Sequence, residues 1–73
     1  MTNNITITVF GGSGFLGSHV SDKLSQLGYR VRIFDLEQSP WLRDDQKMII
    51  GDLLDVEAVQ EATKGSNIVY NFA

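Results

Sequence analysis

The sequence has no cysteine, a single proline and no long hydrophobic run. Without cysteine there is no disulfide framework, no thiolate zinc site and no thiol nucleophile. No apolar segment approaches the roughly 20 residues that a transmembrane helix needs. The first residues, Met-Thr-Asn-Asn, carry neither the basic region nor the apolar core of a signal peptide. We therefore expect a cytoplasmic protein without a membrane partner.

Positive charge is also scarce in this chain. Six Lys and Arg residues stand against nine Asp and Glu residues, which gives a formal net charge of −3 at pH 7. Nucleic acids and anionic membranes bind proteins mainly through basic residues, so this balance argues against both as partners. The acids show no metal-ligand spacing, because Asp44 and Asp45 are typical of a solvated loop and Glu57 and Glu61 of an exposed helix face. We expect no metal site.

The remaining composition, 42% hydrophobic and 21% charged, is that of a globular domain. Segments with strand-like and helix-like patterns follow one another along the chain. They are strand 5–10, helix 15–27, strand 30–35, strand 48–50, a helix capped by Asp55 and ended by Gly65, and strand 66–72. Strands that are joined by crossovers form a parallel sheet with right-handed connections. We predict an α/β fold, the N-terminal half of a Rossmann-like doubly wound sheet, with the strand order 3-2-1-4.

Apolar spacing predicts which sides of the two helices face the sheet. In the first helix the apolar residues recur at intervals of four, four and three: Leu16, Val20, Leu24 and Leu27. In the second helix the predicted inward residues are Val56, Val59 and Ala62 or Thr63. Between the second and third strands, the sequence Ser39-Pro40-Trp41 has the pattern of an N-cap followed by proline, which predicts a short helical turn.

The stretch from Val9 to His19 carries the strongest functional signal. It reads Val-Phe-Gly-Gly-Ser-Gly-Phe-Leu-Gly-Ser-His and joins the first strand to the first helix. Turn glycines let the backbone bend tightly and let a ligand approach. The first N–H groups of a helix have no intrahelical partner, and the helix dipole favours negative charge near them. The stretch therefore predicts a binding site for the pyrophosphate of a dinucleotide.

Two spacings fit the glycines of this turn. Gly12, Gly14 and Gly17 match G-x-G-x-x-G, whereas Gly11, Gly14 and Gly17 match G-x-x-G-x-x-G. We prefer the second because Gly11 directly follows the strand. Gly11 then makes the turn, Gly14 admits the pyrophosphate, and Gly17 lets the helix pack against the strand. The alternative is a structural turn that binds no ligand.

An acid, Asp35, ends the second predicted strand. At that place a carboxylate can accept hydrogen bonds from the ribose hydroxyls of a dinucleotide. The same charge repels a 2′-phosphate, so we predict NAD as the cofactor in preference to NADP. The alternative is a solvated acid at a strand end. Arg30 and Arg32 could accommodate a 2′-phosphate, but their alternation puts both on one face upstream of that position, and we interpret them as snorkelling or surface residues.

Together these residues resemble the NAD-dependent epimerase/dehydratase family of the extended short-chain dehydrogenase/reductase superfamily. The similarity covers nearly the whole chain, through residues 8–19, Asp35, Gly51-Asp52-Leu53 and residues 69–73. It implies that residues 11–16 wrap the pyrophosphate, with the backbone N–H groups of Phe15 and Leu16 near it. It also implies that Asp52 and Leu53 contact the adenine, the alternative for Asp52 being a turn-forming aspartate.

The resemblance also bears on the end of the chain and on catalysis. Phe72 and Ala73 resemble the small-residue segment that passes the cofactor after the fourth strand. The family's chemistry needs a tyrosine, a lysine four residues later, and a nearby serine or threonine. Tyr29 is followed at the fourth position by Ile33, and after Tyr70 the chain ends at Ala73. We therefore expect no catalytic residue in this chain, and further residues beyond its end.

Length agrees with that expectation. A complete dinucleotide-binding domain has two βαβαβ halves, and 73 residues suffice for only one of them. We interpret residues 1–73 as the N-terminal part of such a domain, which stops before the catalytic and substrate-binding regions. It is either a fragment of a longer protein or a half-domain that needs a partner. A chain this short buries only about 60% of its surface, and its fourth strand would be an apolar edge. We therefore expect a homo-oligomer.

Two functions of different classes are consistent with these signals. The first is the NAD-binding portion of an epimerase/dehydratase-type oxidoreductase that acts on nucleotide sugars in its full-length form. The second is a non-catalytic dinucleotide-binding sensor or scaffold of the same fold. A flavin site is a third and less favoured option, since flavoproteins share the glycine turn.

Two isolated residues remain. His19 is the only histidine and has no catalytic partner in the sequence, so we interpret it as structural or partly exposed. Trp41 could lie over the adenine or touch an absent domain, but we favour a tryptophan that covers the chain's own small core.

Overall fold

The computed structural model describes residues 4–73 as a four-stranded sheet with two helices. In chain order the elements are β1 (Thr6–Phe10), α1 (Phe15–Gln26), β2 (Arg30–Asp35), β3 (Gln46–Ile50), α2 (Val56–Thr63) and β4 (Ile68–Asn71). The sheet is parallel throughout, in the order β3-β2-β1-β4, which confirms the predicted fold class and strand order. The expected lack of a signal peptide depends partly on residues 1–3, which lie outside the described residues.

The central strand β1 is buried along its whole length, and its side chains alternate between two cores. On one face Ile7 and Val9 form a cluster with the β2 residues Val31 and Ile33, and Leu24 of α1 packs against it. On the other face the rings of Phe10 and Phe34 meet edge to face at 5.1 Å, with Ala62 of α2 in the same cluster. A central parallel strand that is covered on both sides needs an apolar side chain, or a polar side chain with hydrogen-bond partners, at every position, as observed.

The buried face of α1 differs from the prediction. The buried residues of this helix are all small: Gly17, Ser18, Ser21 and Ser25. The predicted inward residues Leu16 and Leu27 are 60% and 57% exposed, so that part of the prediction is wrong. The physical reason is the close approach of the helix to the β1 turn, because a Cβ on Gly17 would lie 2.2 Å from the Gly11 carbonyl oxygen. At such a separation small residues fit between helix and sheet, and the leucines flank the contact.

The ends of the helices follow their sequence signals. Asp55 caps α2, since its Oδ1 accepts from the N–H of Ala58 at 3.2 Å, as predicted. Gly65, with φ of +76°, follows the end of that helix. Gly28 ends α1 with φ of +92°, and its N–H donates to the carbonyl of Ser25 while that of Tyr29 donates to Leu24. This pair of bonds is the Schellman arrangement, which satisfies the last carbonyls of a helix.

Three details of the prediction need correction. Val56, predicted to face inward from α2, is 65% exposed. Ser39 accepts from the N–H of Trp41 at 3.2 Å, but this makes a turn only, and no helix lies between β2 and β3 in the described chain. Strand β3 begins at Gln46 rather than at Met48. A polar residue starts this strand because its buried amide donates to Asp22 Oδ1 and Ser25 Oγ of α1, at 3.1 and 3.0 Å.

Residues 4–73 contain neither a transmembrane helix nor a metal-binding cluster. Neither helix is long and apolar enough to span a membrane. This part of the chain also holds no group of three or more His, Cys, Asp or Glu side chains that could bind a metal ion.

Candidate functional site

A cleft of about 380 Å³ opens where the strands end. Parallel strands have their carboxyl ends at the same edge of the sheet, and ligands of open α/β sheets bind there. The segments that follow each strand line this cleft: Gly11 and Gly14 after β1, residues 34–36 at β2, residues 51–53 after β3, and Phe72 and Ala73 after β4. Six of the nine predicted site residues are therefore brought together: Gly11, Gly14, Asp35, Asp52, Leu53 and Ala73.

The other three predicted residues lie in the first turn of α1. The side chains of Phe15 and Leu16 are exposed and do not line the cleft, which leaves their predicted role to the backbone N–H groups alone. Gly17 is buried one layer behind, against the carbonyl of Gly11. It shapes the turn from below and has no surface in the cleft.

The glycines of the turn differ in whether the protein itself requires glycine at that position. Gly11 has φ of +77°, and a Cβ there would lie 2.7 Å from the backbone nitrogen of Ala73. A Cβ on Gly12 would lie 2.6 Å from the buried Ile33 side chain, so Gly12 is also fixed by packing. Gly14, in contrast, has φ of −75°, and a Cβ there would meet only the Gly11 carbonyl oxygen, at an ordinary 3.5 Å. Nothing within the described chain requires glycine at position 14.

The two helix N-termini also differ. At α2 the N–H of Ala58, which has no intrahelical acceptor, donates to the side chain of Asp55. At α1 the N-cap is Gly14, which has no side chain that could accept such a bond, and the first turn contains no acidic residue. Ser18 N–H, bonded to the Gly14 carbonyl at 2.9 Å, is the first intrahelical donor. The N–H groups of Phe15 and Leu16 precede it and are free of intrahelical partners, as the start of every helix dictates. Such donors, together with the helix dipole, suit an anion.

Asp35 lies at the cleft with both carboxylate oxygens placed by backbone donors. Oδ2 accepts from the N–H of Ser13 at 3.1 Å, and Oδ1 accepts from the N–H of Leu36 at 2.7 Å. A carboxylate offers about four acceptor positions. Two of them therefore remain for a ligand after these bonds are made.

Ser13 lies in the predicted loop 11–16, but the sequence reasoning gave it no role of its own. Besides its N–H bond to Asp35, its hydroxyl donates to the carbonyl of Glu37 at 2.7 Å. It thereby joins the glycine turn to the segment after β2. The local signal that could have found it is a hydroxyl residue between two glycines, beside a strand end that carries an acid.

On the β3 side of the cleft, Asp52 and Leu53 follow the third strand. Asp52 Oδ1 accepts from the N–H of Leu54 at 2.9 Å, which is the turn-forming arrangement considered above. Asp52 also lines the cleft, so the turn and a contact with a ligand are compatible. Leu36 and Leu53 line the cleft as well and give it apolar surface on two sides.

The charges around the cleft are acidic. Asp35 and Asp52 are the ionisable residues among those that line it, and no Lys or Arg is found among these residues. Arg32 is directed elsewhere: its guanidinium donates to the carbonyls of Ala62 and Lys64 at the end of α2, where a cation also complements the helix dipole. Arg30 is exposed, as predicted. Phosphate groups in this cleft would therefore rely on backbone N–H donors.

His19 and Trp41 lie outside the cleft. His19 is exposed, as predicted, and its ring meets that of Phe15 edge to face at 4.5 Å. Trp41 lies near these two residues beside α1, is half exposed and does not line the cleft. The neighbouring Leu42, rather than Trp41, packs against the core.

Comparison with known proteins decides the family. Residues 7–73 match the NAD dependent epimerase/dehydratase family. The chain belongs to this family. Among curated relatives, the sterol-4-alpha-carboxylate 3-dehydrogenase, decarboxylating, of Mus musculus is 38% identical over 77 residues, which cover 100% of this chain and 21% of the relative.

Solved structures of similar fold are consistent with membership of this chain in the epimerase/dehydratase family. A short-chain dehydrogenase/reductase superfamily protein from Agrobacterium tumefaciens with bound NAD is 31% identical, with a TM-score of 0.82 over 93% of this chain and 20% of that one. MoeE5 in complex with UDP-glucose and NAD is 28% identical, with a TM-score of 0.81 over 93% of this chain and 22% of MoeE5. The chain thus spans about a fifth of the length of these relatives. The family and these structures support a nicotinamide dinucleotide as the cofactor.

Proposed function

We propose that this chain is the NAD-binding portion of an NAD-dependent oxidoreductase of the epimerase/dehydratase type. The observation that carries the proposal is Gly14. Its backbone conformation is open to any residue, and its Cβ position meets no close atom of the protein. Neither a positive φ nor a close contact requires glycine at this N-cap. The missing side chain leaves space for a ligand, and an anion is the ligand that this helix end favours.

The other residues of the cleft fit a dinucleotide. The N–H groups of Phe15 and Leu16 would hold the pyrophosphate, and the remaining acceptor positions of Asp35 would receive ribose hydroxyls. Asp52 and Leu53 would contact the adenine, and Ala73 would pass the ribose with only a methyl group. When bound, the nicotinamide ring of the cofactor accepts or donates a hydride. The chain's own contribution is to bind and orient the cofactor.

The cofactor proposed is NAD rather than NADP. Asp35 places negative charge at the ribose position, and no Lys or Arg among the cleft residues could compensate the charge of a 2′-phosphate. Arg32, which could have done so, is engaged at the end of α2.

For the whole protein we propose a nucleotide sugar as substrate, supported by the likeness to MoeE5 in complex with UDP-glucose and NAD. A second candidate is the 3-hydroxyl group of a sterol, because a sterol-4-alpha-carboxylate 3-dehydrogenase is 38% identical to the chain. Assay of the intact protein with UDP-glucose and with a 3β-hydroxysterol, each in the presence of NAD, separates the two. Formation of NADH, or of an epimerised sugar, with one substrate only would assign it.

The binding proposal is tested by Gly14→Ala. We expect NAD affinity, measured by titration calorimetry on the intact protein, to fall at least about tenfold, which corresponds to about 1.4 kcal/mol. The free energy of unfolding in urea should stay close to that of the unsubstituted protein, since the added methyl group would make only an ordinary contact with the Gly11 carbonyl oxygen, at 3.5 Å. Unchanged NAD affinity in the variant, or no binding of NAD by the unsubstituted protein, would contradict the proposal.

A further inference from the structure

Ser13 makes two hydrogen bonds to the end of β2 and the segment that follows it. Its N–H donates to Asp35 Oδ2 at 3.1 Å, and its hydroxyl donates to the Glu37 carbonyl, two residues further on, at 2.7 Å. The glycine turn is thereby joined to Asp35 itself and to the chain just beyond it. We infer that Ser13 is a positioning residue that sets the preference of this site for NAD over NADP, an inference that rests on the proposed function.

The direction of the Asp35 carboxylate is fixed by two backbone donors. A carboxylate at the end of a strand can turn about its side-chain torsions unless its oxygens are held. Here the Ser13 N–H holds one oxygen and the Leu36 N–H, at 2.7 Å, holds the other. Asp35 lines the cleft, and the two remaining acceptor positions of its carboxylate therefore have fixed directions there.

The Ser13 hydroxyl anchors the loop that follows β2. Leu36 is exposed, and Glu37 lies in an exposed loop that follows β2. The Glu37 carbonyl is anchored by the Ser13 hydroxyl, which also lies 4.0 Å from the sulfur of Met48. If the hydroxyl is removed, this loop loses its bond to the glycine turn, and the Leu36 N–H that holds Asp35 moves with the loop.

A positioning role differs from a contribution to general stability in what a substitution changes. Ser13 is not among the buried residues of either core cluster, although its hydroxyl lies 4.0 Å from the sulfur of Met48, which packs against one of them. Its two hydrogen bonds to oxygen atoms connect segments that border the cleft. Loosening them should affect the two cofactors in opposite directions. NAD loses acceptors for its ribose hydroxyls, whereas NADP meets a less rigidly placed negative charge. The ratio of the two dissociation constants is therefore the property that Ser13 controls.

The test compares three variants of the intact protein: Ser13→Ala, Ser13→Thr and the control Ser66→Ala. Ser66 is a serine whose hydroxyl contacts Thr8. It directly precedes β4, at the amino ends of the strands and thus on the side of the sheet away from the cleft. NAD and NADP are titrated separately, and thermal unfolding is recorded for each variant. We expect Ser13→Ala to lower the ratio Kd(NADP)/Kd(NAD) by about fivefold, the effect of one hydrogen bond. Ser13→Thr, which keeps the hydroxyl, should retain the ratio.

The outcomes distinguish this inference from the proposed function. If the unsubstituted protein binds NAD and Ser13→Ala leaves the ratio within twofold, Ser13 is not a positioning residue and the proposed function stands. A lowered ratio in Ser66→Ala as well would show a general loss of stability and would also overturn the inference. Failure of the unsubstituted protein to bind NAD would overturn both.

Discussion

The glycines between positions 11 and 17 differ in what a methyl group would meet, and this difference can be measured as stability. A Cβ at Gly17 would lie 2.2 Å from the Gly11 carbonyl oxygen, a backbone atom that cannot move aside on its own. We expect Gly17→Ala to lower the free energy of unfolding by about 1–3 kcal/mol, the usual cost of overpacking. Urea denaturation measures this change. Gly14→Ala, with its open Cβ position, is the matched control and should leave stability unchanged.

A loss of stability of the same size in Gly14→Ala would contradict that assignment. It would show that the turn is constrained at Gly14 by the protein itself, and it would remove the main support for a ligand at this position.

Asp35 gives a second prediction at the residue scale. Replacing the carboxylate by Asp35→Ala should reduce the thermal shift caused by NAD more than that caused by NADP. The reason is that NAD loses hydrogen-bond acceptors, while NADP loses an acceptor but is also freed from repulsion. Differential scanning fluorimetry with each cofactor measures both shifts. Equal shifts by NAD and NADP in the unsubstituted protein would count against NAD as the preferred cofactor.

The residues of the cleft could be predicted to a large extent, and the reason is geometric. Parallel strands end at one edge, so residues that directly follow strands, such as Gly11, Asp35 and Asp52, must lie near one another once the strand order is known. The bonds of Ser13 could not be predicted in this way. They depend on the path of two irregular segments, which no periodicity specifies.

At the scale of elements, the two helices begin in different ways. Asp55 accepts from the N–H of Ala58, whereas the N-cap of α1 makes no side-chain bond. We expect Asp55→Ala to lower the free energy of unfolding by about 1 kcal/mol, as for other lost N-caps. Urea denaturation is again the measurement. Asp44→Ala, which removes an exposed acid from a loop, is the control and should change stability by less than about 0.5 kcal/mol. Equal effects of the two substitutions would show that the cap contributes nothing.

The elements themselves were predictable because their ends carry strong signals, such as Gly28 and Gly65 with positive φ. The buried face of α1 was not. Spacing of leucines predicts the apolar side of a helix, but it does not contain the distance between helix and sheet. Here that distance is set by Gly17 against Gly11, and serines whose hydroxyls bond within the helix, such as Ser21 to the Gly17 carbonyl at 2.7 Å, occupy the contact.

At the scale of the whole molecule, the sheet ends in two edge strands, β3 and β4, and β4 is the more exposed of the two. Strand β4 pairs with β1 on one side, and within residues 4–73 no strand pairs with its other side. All four of its residues are exposed, and three of them, Ile68, Val69 and Tyr70, are large and apolar. An exposed apolar edge strand offers unpaired backbone groups to any other strand. This is the physical basis for expecting association of the chain.

The 73-residue chain should therefore self-associate in solution, and a charge on β4 should reduce the association. Val69 is 48% exposed on the strand, and Val56 is 65% exposed at the start of α2, so both positions tolerate a longer polar side chain. We expect Val69→Lys to lower the apparent mass at a given concentration, measured by light scattering, because charges on edge strands oppose pairing. Val56→Lys makes the same change in charge away from the edge and should leave the apparent mass unchanged. If the unsubstituted chain is a monomer with a sharp calorimetric transition, β4 needs no partner, since its apolar edge is then stable in water without a paired strand.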